Sequence, residues 1–351
     1  MKEKLAQMFQ SKNRSRTLSF GLVIIAYIVL EVLLLTGNLS SLFTSLLVPV
    51  CCYIVAAIGL NLNVGISGEL NLGQGGFMSV GAFVAVCVSG VLSYSIPSPI
   101  IRLIASILCG AIAAGVIGAL IGIPVLKLQG DYLAIVTLAF GQIIKSIINN
   151  LYIGYDKNGF QMSFVENKLA LAEGGKALLS GPMGATGTDR IATFTFGVIL
   201  VLLSLLIVYN LMYSRNGRAI MAARDNRIAA ESVGINVANT KMLAFVTSAM
   251  LAGAAGALYA LNYATLAPSK FDFNLSILIL VYVVLGGLGN MTGTIIATTV
   301  LVLLPELLRS LQDYRMLIYA IILIVIMLVT NNEFLKEKFS KLRLGKKGAM
   351  K

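Results

Sequence analysis

The chain alternates between long apolar runs and short polar ones. An α-helix needs about 20 mainly apolar residues to cross a bilayer, and seven runs meet that length. In chain order they are Leu18–Thr36, Leu42–Leu60, Leu72–Leu92, Ile100–Leu126, Asp131–Asn150, Ile191–Tyr213 and Met242–Tyr263. A shorter run, Met316–Thr330, precedes a basic tail. The pattern predicts an all-α, polytopic transmembrane helical bundle of about 8–10 spans.

One apolar run is too long for a single crossing. As one straight helix, Asn274–Leu308 would extend about 50 Å, against a hydrocarbon core of about 30 Å. Gly286–Asn290 interrupts it, and the pieces Leu275–Leu285 and Thr292–Leu304 would each be only about 16–20 Å long. If both basic termini lie on one side of the membrane, the number of full crossings must be even. This run must then enter and leave on the same face. We therefore predict a re-entrant pair of half-helices beside eight full crossings; ten crossings remain the alternative.

A glycine-rich segment, Ile58–Phe77, follows the second run and contains six glycines among polar residues. Glycine weakens a helix, and polar side chains inside a membrane need partners. A solvent-exposed loop would explain the glycines but not the alternating Leu, Val, Ile and Phe. We predict a buried, partly unwound segment near a transport pathway. The candidate pathway residues lie here and at the second interruption: Asn61, Asn63, Asn71, Gln74, Gly286, Gly287, Gly289 and Asn290.

The central connection, Ser214–Lys241, is 28 residues of charged sequence between two apolar runs. Short basic loops favour the cytoplasmic face. Its alanine-rich part predicts a helix over Arg218–Val233, ending at Gly234. A plain connector could be much shorter, so we favour a second role, the docking of a cytoplasmic partner.

Composition narrows the function. The chain is 58% hydrophobic and 12% charged, has no histidine, and carries a net charge of +12; a soluble domain has about 25% charged residues. The positive charge gathers at the termini and the central connection, which indicates membrane orientation and anionic lipid headgroups, with no nucleic acid among the partners. Four cysteines in apolar runs are interpreted as small buried hydrophobes: Cys51, Cys52, Cys87 and Cys109.

Motifs of catalysis and of ion coupling are missing from the sequence. It has no nucleotide-binding P-loop, no G-x-S-x-G motif and no paired carboxylates in mid-membrane. We therefore expect a transport protein, not an enzyme, with no cofactor and no metal site.

The expected organisation has three parts. Residues 1–17 form a cytoplasmic N-terminal segment, 18–332 the transmembrane permease domain and 333–351 a basic cytoplasmic tail. The first run is interpreted as a retained span and not a signal peptide. Residues 151–190 form one long external loop, whose position suggests contact with an external solute receptor.

Several blocks in the same order resemble the membrane permease subunits of branched-chain amino-acid ABC transporters, of the type called LivM. The resemblance covers Tyr53 to Leu328, and the blocks are G-L-N-L-N-V-G-I-S-G-E-L-N-L-G-Q-G-G-F from Gly59, Y-L-A-I-V-T-L-A-F-G-Q-I-I from Tyr132, N-G-R-A-I-M-A-A-R-D-N-R-I-A-A-E-S-V-G-I-N-V from Asn216, V-V-L-G-G-L-G-N-M-T-G from Val283, L-L-P-E-L-L-R from Leu303 and Y-R-M-L-I-Y-A from Tyr314.

The resemblance implies a subunit of an ATP-driven importer in the bacterial inner membrane, with both termini in the cytoplasm. Its implied partners are a second, homologous permease, two cytoplasmic ATP-binding subunits, an external solute-binding protein and membrane lipid. Ala229–Gly234 resembles the importer loop that docks on the ATPase, although its order is AAE where other importers have EAA. The implied coupling residues are Arg218, Arg224, Arg227, Glu231 and Gly234.

Two departures from the family pattern are visible. Gln74 stands where the family commonly has His, and the C-terminal part reads T-N-N-E-F where it often has an Arg-Pro-containing end. Permeases for urea or short amides share this framework and remain an alternative. An autonomous facilitator or ion-coupled carrier is the second alternative.

Overall fold

The computed structural model describes residues 2–37, 40–128, 130–156, 159–164, 176–309, 314, 317–321 and 323–324. The predicted tail lies outside these residues, as does most of the predicted span Met316–Thr330. The chain forms two compact units, Met1–Thr298 and Thr299–Lys351.

Helices make up most of the described chain. They are α1 (Lys2–Leu35), α2 (Ser41–Asn61), α3 (Gln74–Ser95), α4 (Pro99–Val125), α5 (Asp131–Asn149), α6 (Phe194–Tyr213), α7 (Arg215–Asp225), α8 (Arg227–Ser232), α9 (Val237–Ala260), α10 (Phe273–Gly286) and α11 (Met291–Leu307). A π-helix, Leu62–Ser67, extends α2, and two 3₁₀ turns occupy Gly181–Met183 and Pro268–Lys270.

Among the described residues, eight helical stretches are long and apolar enough to cross a membrane: Arg16–Leu35, Phe43–Ser67, Gln74–Tyr94, Pro99–Val125, Asp131–Asn149, Phe194–Tyr213, Val237–Ala260 and Pro268–Gly286. The predicted polytopic helical bundle is confirmed. The eighth stretch includes α10, whose residues the sequence pattern assigns to a half-helix. In the structure, α10 and the turn before it together have the length of a full span. The break at residues 287–290 is confirmed, while the re-entrant course stays a prediction.

The centre of the bundle is a crossing of α3, α4 and α9 at glycines. A Cβ on Gly81 of α3 would overlap the backbone of Gly253 of α9. A Cβ on Gly110 of α4 would lie 2.7 Å from the carbonyl oxygen of Gly81, and one on Gly253 would lie 2.7 Å from that of Gly110. Glycine permits this approach because it has no side chain to separate the backbones. The three helices therefore touch main chain to main chain.

The predicted long external loop is partly folded into strands, which the sequence pattern did not predict. Strands β1 (Tyr152–Asp156), β2 (Gly159–Ser163) and β3 (Lys176–Ser180) form an antiparallel sheet in the order β2-β1-β3. A second pair joins β4 (Ala185–Thr186) to β5 (Thr265–Leu266). These strands connect the end of α5 to the loop between α9 and α10.

Polar contacts hold this strand-bearing end against the helices. Arg102, largely buried at the start of α4, donates to Asp189 at 3.0 Å. In the loop after α9, the ring centroid of Tyr263 lies 4.8 Å from Lys270 Nζ, within the range of a cation–π contact.

The cysteine prediction is partly wrong. Cys51 and Cys52 are buried as expected, but Cys87 is half-buried and Cys109 is exposed. Cys109 lies on the outer side of α4, where the neighbouring Leu108 and Ile112 are also exposed. In a membrane protein an apolar side chain can face lipid, so the apolar character of the run does not by itself imply burial within the protein.

Candidate functional site

The glycine-rich segment is partly unwound and mostly buried, as predicted. The chain leaves α2 through the π-helix Leu62–Ser67, whose C-cap Gly68 has φ +76°, and becomes helical again only at Gln74. π-Helical turns are rare and frequently occur at functional sites. The unwound stretch, residues 68–73, therefore joins two membrane-length helical stretches, Phe43–Ser67 and Gln74–Tyr94.

Side chains of neighbouring helices satisfy the backbone of this segment. Leu72 N donates to Thr137 Oγ1 of α5 at 3.1 Å, and Gly75 N donates to Ser276 Oγ of α10 at 2.9 Å. Gly73 N donates to the side chain of Asn71 at 2.8 Å. Non-helical backbone inside a membrane requires such partners. The segment is therefore a connected part of the bundle.

Asn61 joins the glycine-rich segment to the second interruption. Its Nδ2 donates to Thr294 Oγ1 of α11 at 2.7 Å, and its Oδ1 accepts from Gly289 N at 2.8 Å. A Cβ on Gly65 would overlap both Asn61 Oδ1 and Gly289 N. The two predicted pathway regions therefore meet at one place, through a buried amide and a close backbone contact.

The other polar residues of the segment have different surroundings. Gln74 Nε2 donates to Ala56 O at 3.0 Å, which fixes the start of α3 to α2. Asn63 is fully buried, and neither its Nδ2 nor its Oδ1 has a hydrogen-bond partner among the described residues. Asn71 is also fully buried, and its Nδ2 is unpartnered in the described part of the chain.

The break between α10 and α11 is a glycine turn with one exposed edge. Gly287 and Gly289 have φ values of +93° and +78°, which glycine adopts without the strain of other residues. Gly286 packs against Thr294, and Asn290 Oδ1 accepts from Gly293 N at 3.3 Å at the start of α11. Gly289 and Asn290 are exposed, in contrast to the buried polar residues of the glycine-rich segment.

The central connection is ordered, but the predicted single helix over Arg218–Val233 is wrong. The structure has two helices, α7 and α8, separated at Asn226, whose backbone is extended with φ −154° and ψ 107°. Asn226 Oδ1 accepts from Ala229 N at 3.0 Å and so forms the N-cap of α8. Asparagine is favoured at an N-cap because its side chain satisfies a free backbone N–H. The sequence pattern predicted one helix because alanine-rich sequence on both sides of Asn226 favours helix, and it took no account of the capping role of Asn226.

The predicted end of the helix at Gly234 is confirmed. Gly234 has φ +83°, its N–H donates to Glu231 O, and Ile235 N donates to Ala230 O, both at 3.0 Å. These two bonds form a Schellman motif, with its glycine in the left-handed position. Ile235 then packs against Ala223, Ala230 and Val237. A small apolar core thus holds α7, α8 and the start of α9 together.

The opposite side of α8 presents apolar side chains to the surroundings. Ile228 is 80% exposed and Val233 is 74% exposed. Isolated apolar residues are normal on protein surfaces. Ile228 lies on α8 and Val233 is the C-cap of that helix, in a charged connection that packs on α9 through Ala223, Ala230 and Ile235. The sequence pattern singled out the charged residues of this helix and not this pair.

The predicted coupling residues make different contacts. Arg218 donates to Tyr213 O at 3.1 Å, and Arg227 pairs with Glu231 at 2.9 Å along α8. Arg224 alone among them reaches the glycine-rich segment, where its Nη1 donates to Gly65 O at 3.0 Å. A second link, an ion pair between Lys241 and Glu69, was not predicted at all.

A polar cavity of about 340 Å³ lies between the central connection and the glycine-rich segment. It is lined by Ser67, Gly68, Glu69, Leu70, Gly130, Asp131, Ala223, Arg224, Asp225, Asn226, Arg227 and Lys241. The central connection forms one wall of the cavity and the glycine-rich segment forms the other. Among the described hydrogen bonds and ion pairs, only Arg224 with Gly65 and Lys241 with Glu69 join the two walls. The central connection therefore lies beside the unwound segment and is attached to the glycine-rich segment at two points.

Membrane-length apolar helices, with irregular backbone joined by a buried amide, define a polytopic membrane protein. The comparisons with known proteins place it in the permease class. The family model described as "Branched-chain amino acid transport system / permease component" matches residues 42–328. The chain belongs to this family.

Individual relatives have similar descriptions. The high-affinity branched-chain amino acid transport system permease protein LivM of Salmonella typhimurium is 35% identical over 288 residues, 79% of this chain and 66% of the relative. LivM of Escherichia coli is 36% identical over 311 residues, 85% and 71% of the two chains. The fructose import permease FruG of Bifidobacterium longum is 24% identical over 277 residues, 77% and 75%. The chain thus spans about two thirds of the length of its LivM relatives, and no solved structure matches it.

Proposed function

We propose that this protein is the membrane-spanning permease subunit of an ATP-driven importer for branched-chain amino acids. Solute is delivered by an external binding protein, and ATP is hydrolysed by two cytoplasmic partner subunits. A second, homologous permease completes the pathway. The protein is not itself an enzyme, and it resides in the bacterial inner membrane with both termini in the cytoplasm. Membership of the permease family supports this assignment.

The observation that carries the proposal is the form of the central connection. Its two helices are anchored to α9 by a small apolar core, while Ile228 and Val233 face outwards. The charged side chains of Arg227 and Glu231 lie on the same short helix. Interfaces are commonly formed by a few apolar anchors within a polar rim. This surface is suited to docking an ATP-binding subunit, and its basic character favours the cytoplasmic side.

The domain organisation follows from that orientation. Residues 1–17, the central connection and residues 333–351 face the cytoplasm, and 18–332 form the permease domain. The strand-bearing region within 151–190 then faces outwards, at the end where an external binding protein would approach. The ion pair of Arg102 with Asp189 holds this region to α4.

Reconstitution tests the assignment directly. In vesicles, this chain with its permease partner, the ATP-binding subunits and the binding protein should take up leucine, isoleucine or valine only when ATP is supplied. Urea and fructose are the competing solutes in the same assay. Uptake by the chain alone without ATPase subunits would contradict the proposal and favour an autonomous carrier. Uptake of urea in preference to the amino acids would reassign the solute.

We further propose that solute passes beside the meeting point of the glycine-rich segment and the break. The polar residues concerned are Asn61, Asn63, Asn71, Gln74, Gly286, Gly287, Gly289 and Asn290. Buried amide nitrogens with no partner among the described residues, as at Asn63 and Asn71, are costly in a membrane unless water or solute reaches them in another conformation. The exposed edge of the break, at Gly289 and Asn290, is where we propose that water enters.

Thiol labelling checks this placement. In a variant whose four native cysteines are replaced by serine or alanine, Asn290→Cys should react with a membrane-impermeant thiol reagent in the absence of ATP. Asn71→Cys should react only after ATP-driven cycling, since Asn71 is fully buried. Protection of Asn71→Cys under all conditions would remove it from the pathway.

A further inference from the structure

We propose that Arg224, with the Glu69–Lys241 ion pair, is the link through which movement of the central connection reaches the glycine-rich segment and the break. This inference rests on the proposed function, because it assigns the residues that transmit what the ATP-binding subunits do. Arg224 and Lys241 act as positioning residues, with no direct contact to solute.

Arg224 acts as a C-terminal cap for a helix other than its own. The last carbonyl groups of a helix have no partner within it, and the C-terminal end carries partial negative charge. The guanidinium of Arg224 donates to Gly65 O, in the last turns of the π-helix, at 3.0 Å. Its aliphatic part covers Gly68, where an added Cβ would lie 2.6 Å from Arg224 Cγ. Arg224 thus holds the place where the helix ends.

Arg224 also pairs with Asp225 at the end of α7, where the two side chains are 40% and 67% exposed. Its Nε and Nη2 both donate to Asp225 Oδ1, at 3.0 and 2.8 Å. A guanidinium bound on two sides has little freedom to follow one partner without the other. A shift of the α7 terminus therefore changes the position of Gly65 or breaks this hydrogen bond.

Gly65 passes the contact to the second interruption. Its Cα approaches Asn61 Oδ1 and Gly289 N so closely that a side chain would not fit. Gly289 N also donates to Asn61, which in turn donates to Thr294 at the start of α11. The contacts form an unbroken series from α7 through the π-helix to the turn between α10 and α11.

The Glu69–Lys241 ion pair gives the segment a second point of attachment. Lys241 is at the end of the central connection, in the first turns of α9, and the side chains of Lys241 and Glu69 are only 15% and 11% exposed. Removing one partner of such a pair leaves an unpaired charge that is costly to keep buried. The segment is therefore held at Gly65 by α7 and at Glu69 by α9, across the polar cavity. Because these two attachments come from different helices, a rotation of the central connection twists the segment.

The first measurement uses the permease complex without ATPase subunits. Amide hydrogen exchange should accelerate at residues 62–68 and 287–290 in Arg224→Gln, because both regions depend on the same series of contacts. Arg224→Lys keeps the charge but not the two-sided guanidinium, and should restore only part of the protection. Arg309→Gln, which removes a different ion pair, with Glu306, is the matched control and should leave both regions unchanged. Unchanged exchange in Arg224→Gln would overturn the proposed link.

The second measurement uses the complete transporter. Glu69→Gln and Lys241→Gln should still bind the ATP-binding subunits and hydrolyse ATP, but amino-acid uptake per ATP should fall about tenfold, within the range of typical coupling between sites. The reversed pair Glu69→Lys with Lys241→Glu should recover much of that loss. A wild-type ratio in the single variants would overturn the link. If instead the wild-type protein binds no ATPase, the proposed function fails, and the exchange measurement still tests the contacts by themselves.

Discussion

The substitution Gly81→Leu is expected to lower the free energy of unfolding of the permease by about 3 kcal/mol or more, at the upper end for overpacked interiors. Gly81 sits where α3, α4 and α9 touch through their backbones. A leucine side chain there would meet main-chain atoms of Gly253, which cannot rotate away as a flexible side chain can. The helices would have to separate over much of their shared length. The measurement is thermal unfolding in detergent, followed as the fraction of the protein that stays monodisperse at each temperature.

A matched change separates packing from hydrophobicity. Gly21 of α1 also lies in a membrane-length helix, but an added Cβ there meets nothing within 4 Å. Gly21→Leu should therefore unfold at nearly the wild-type temperature. If Gly81→Leu behaves like Gly21→Leu, the three helices do not meet as closely as described. Gly81→Ala should lie between the two.

The double substitution Ile228→Asp with Val233→Asp is expected to abolish productive docking of the ATP-binding subunits. Apolar anchors at the centre of an interface commonly contribute about 2 kcal/mol or more each, which is roughly thirtyfold in Kd. Each side chain is mostly exposed in the isolated chain, so an aspartate is tolerated there without loss of folding. The measurement is the affinity of the purified ATP-binding subunits for the permease complex in lipid nanodiscs.

The control for this pair is Met183→Asp. Met183 is 69% exposed in the 3₁₀ turn of the strand-bearing region, so the change introduces one aspartate at an exposed apolar position far along the chain from α8. The affinity of this variant for the ATP-binding subunits should equal that of the wild type. Equal affinity of the double variant and the wild type would show that docking uses another surface.

Interruptions of the helices could be predicted from the sequence because their residues leave few alternatives. Six glycines among asparagines within Ile58–Phe77 cannot form an ordinary lipid-facing helix, and Gly286–Asn290 divides a run that is too long for one crossing. Gly234 marks the end of α8 for a similar reason. A helix often ends at a residue with positive φ, which glycine adopts most easily, and Gly234 has this conformation. In each case a backbone requirement appears directly in the local sequence.

Features that depend on distant partners were not predictable. The ion pair of Glu69 with Lys241 joins residues 172 positions apart, and Arg224 meets Gly65 across 159. Nothing in the neighbourhood of either residue identifies its partner. The strands at 152–156, 159–163 and 176–180 are short, and their pairing depends on the loop's tertiary setting. The division between α7 and α8, in contrast, could have been predicted from Asn226, since asparagine is a typical N-cap residue.

The glycine crossing at Gly81, Gly110 and Gly253 also decides where the molecule can bend. Helices in main-chain contact have no soft side chains between them to absorb sliding, so α3, α4 and α9 must travel as one block. The irregular backbone at 68–73 and 287–290 lies outside this block and offers two glycine hinges. A working cycle of this protein would then combine the proposed rotation of the central connection with hinge motion at these joints, around a stiff frame.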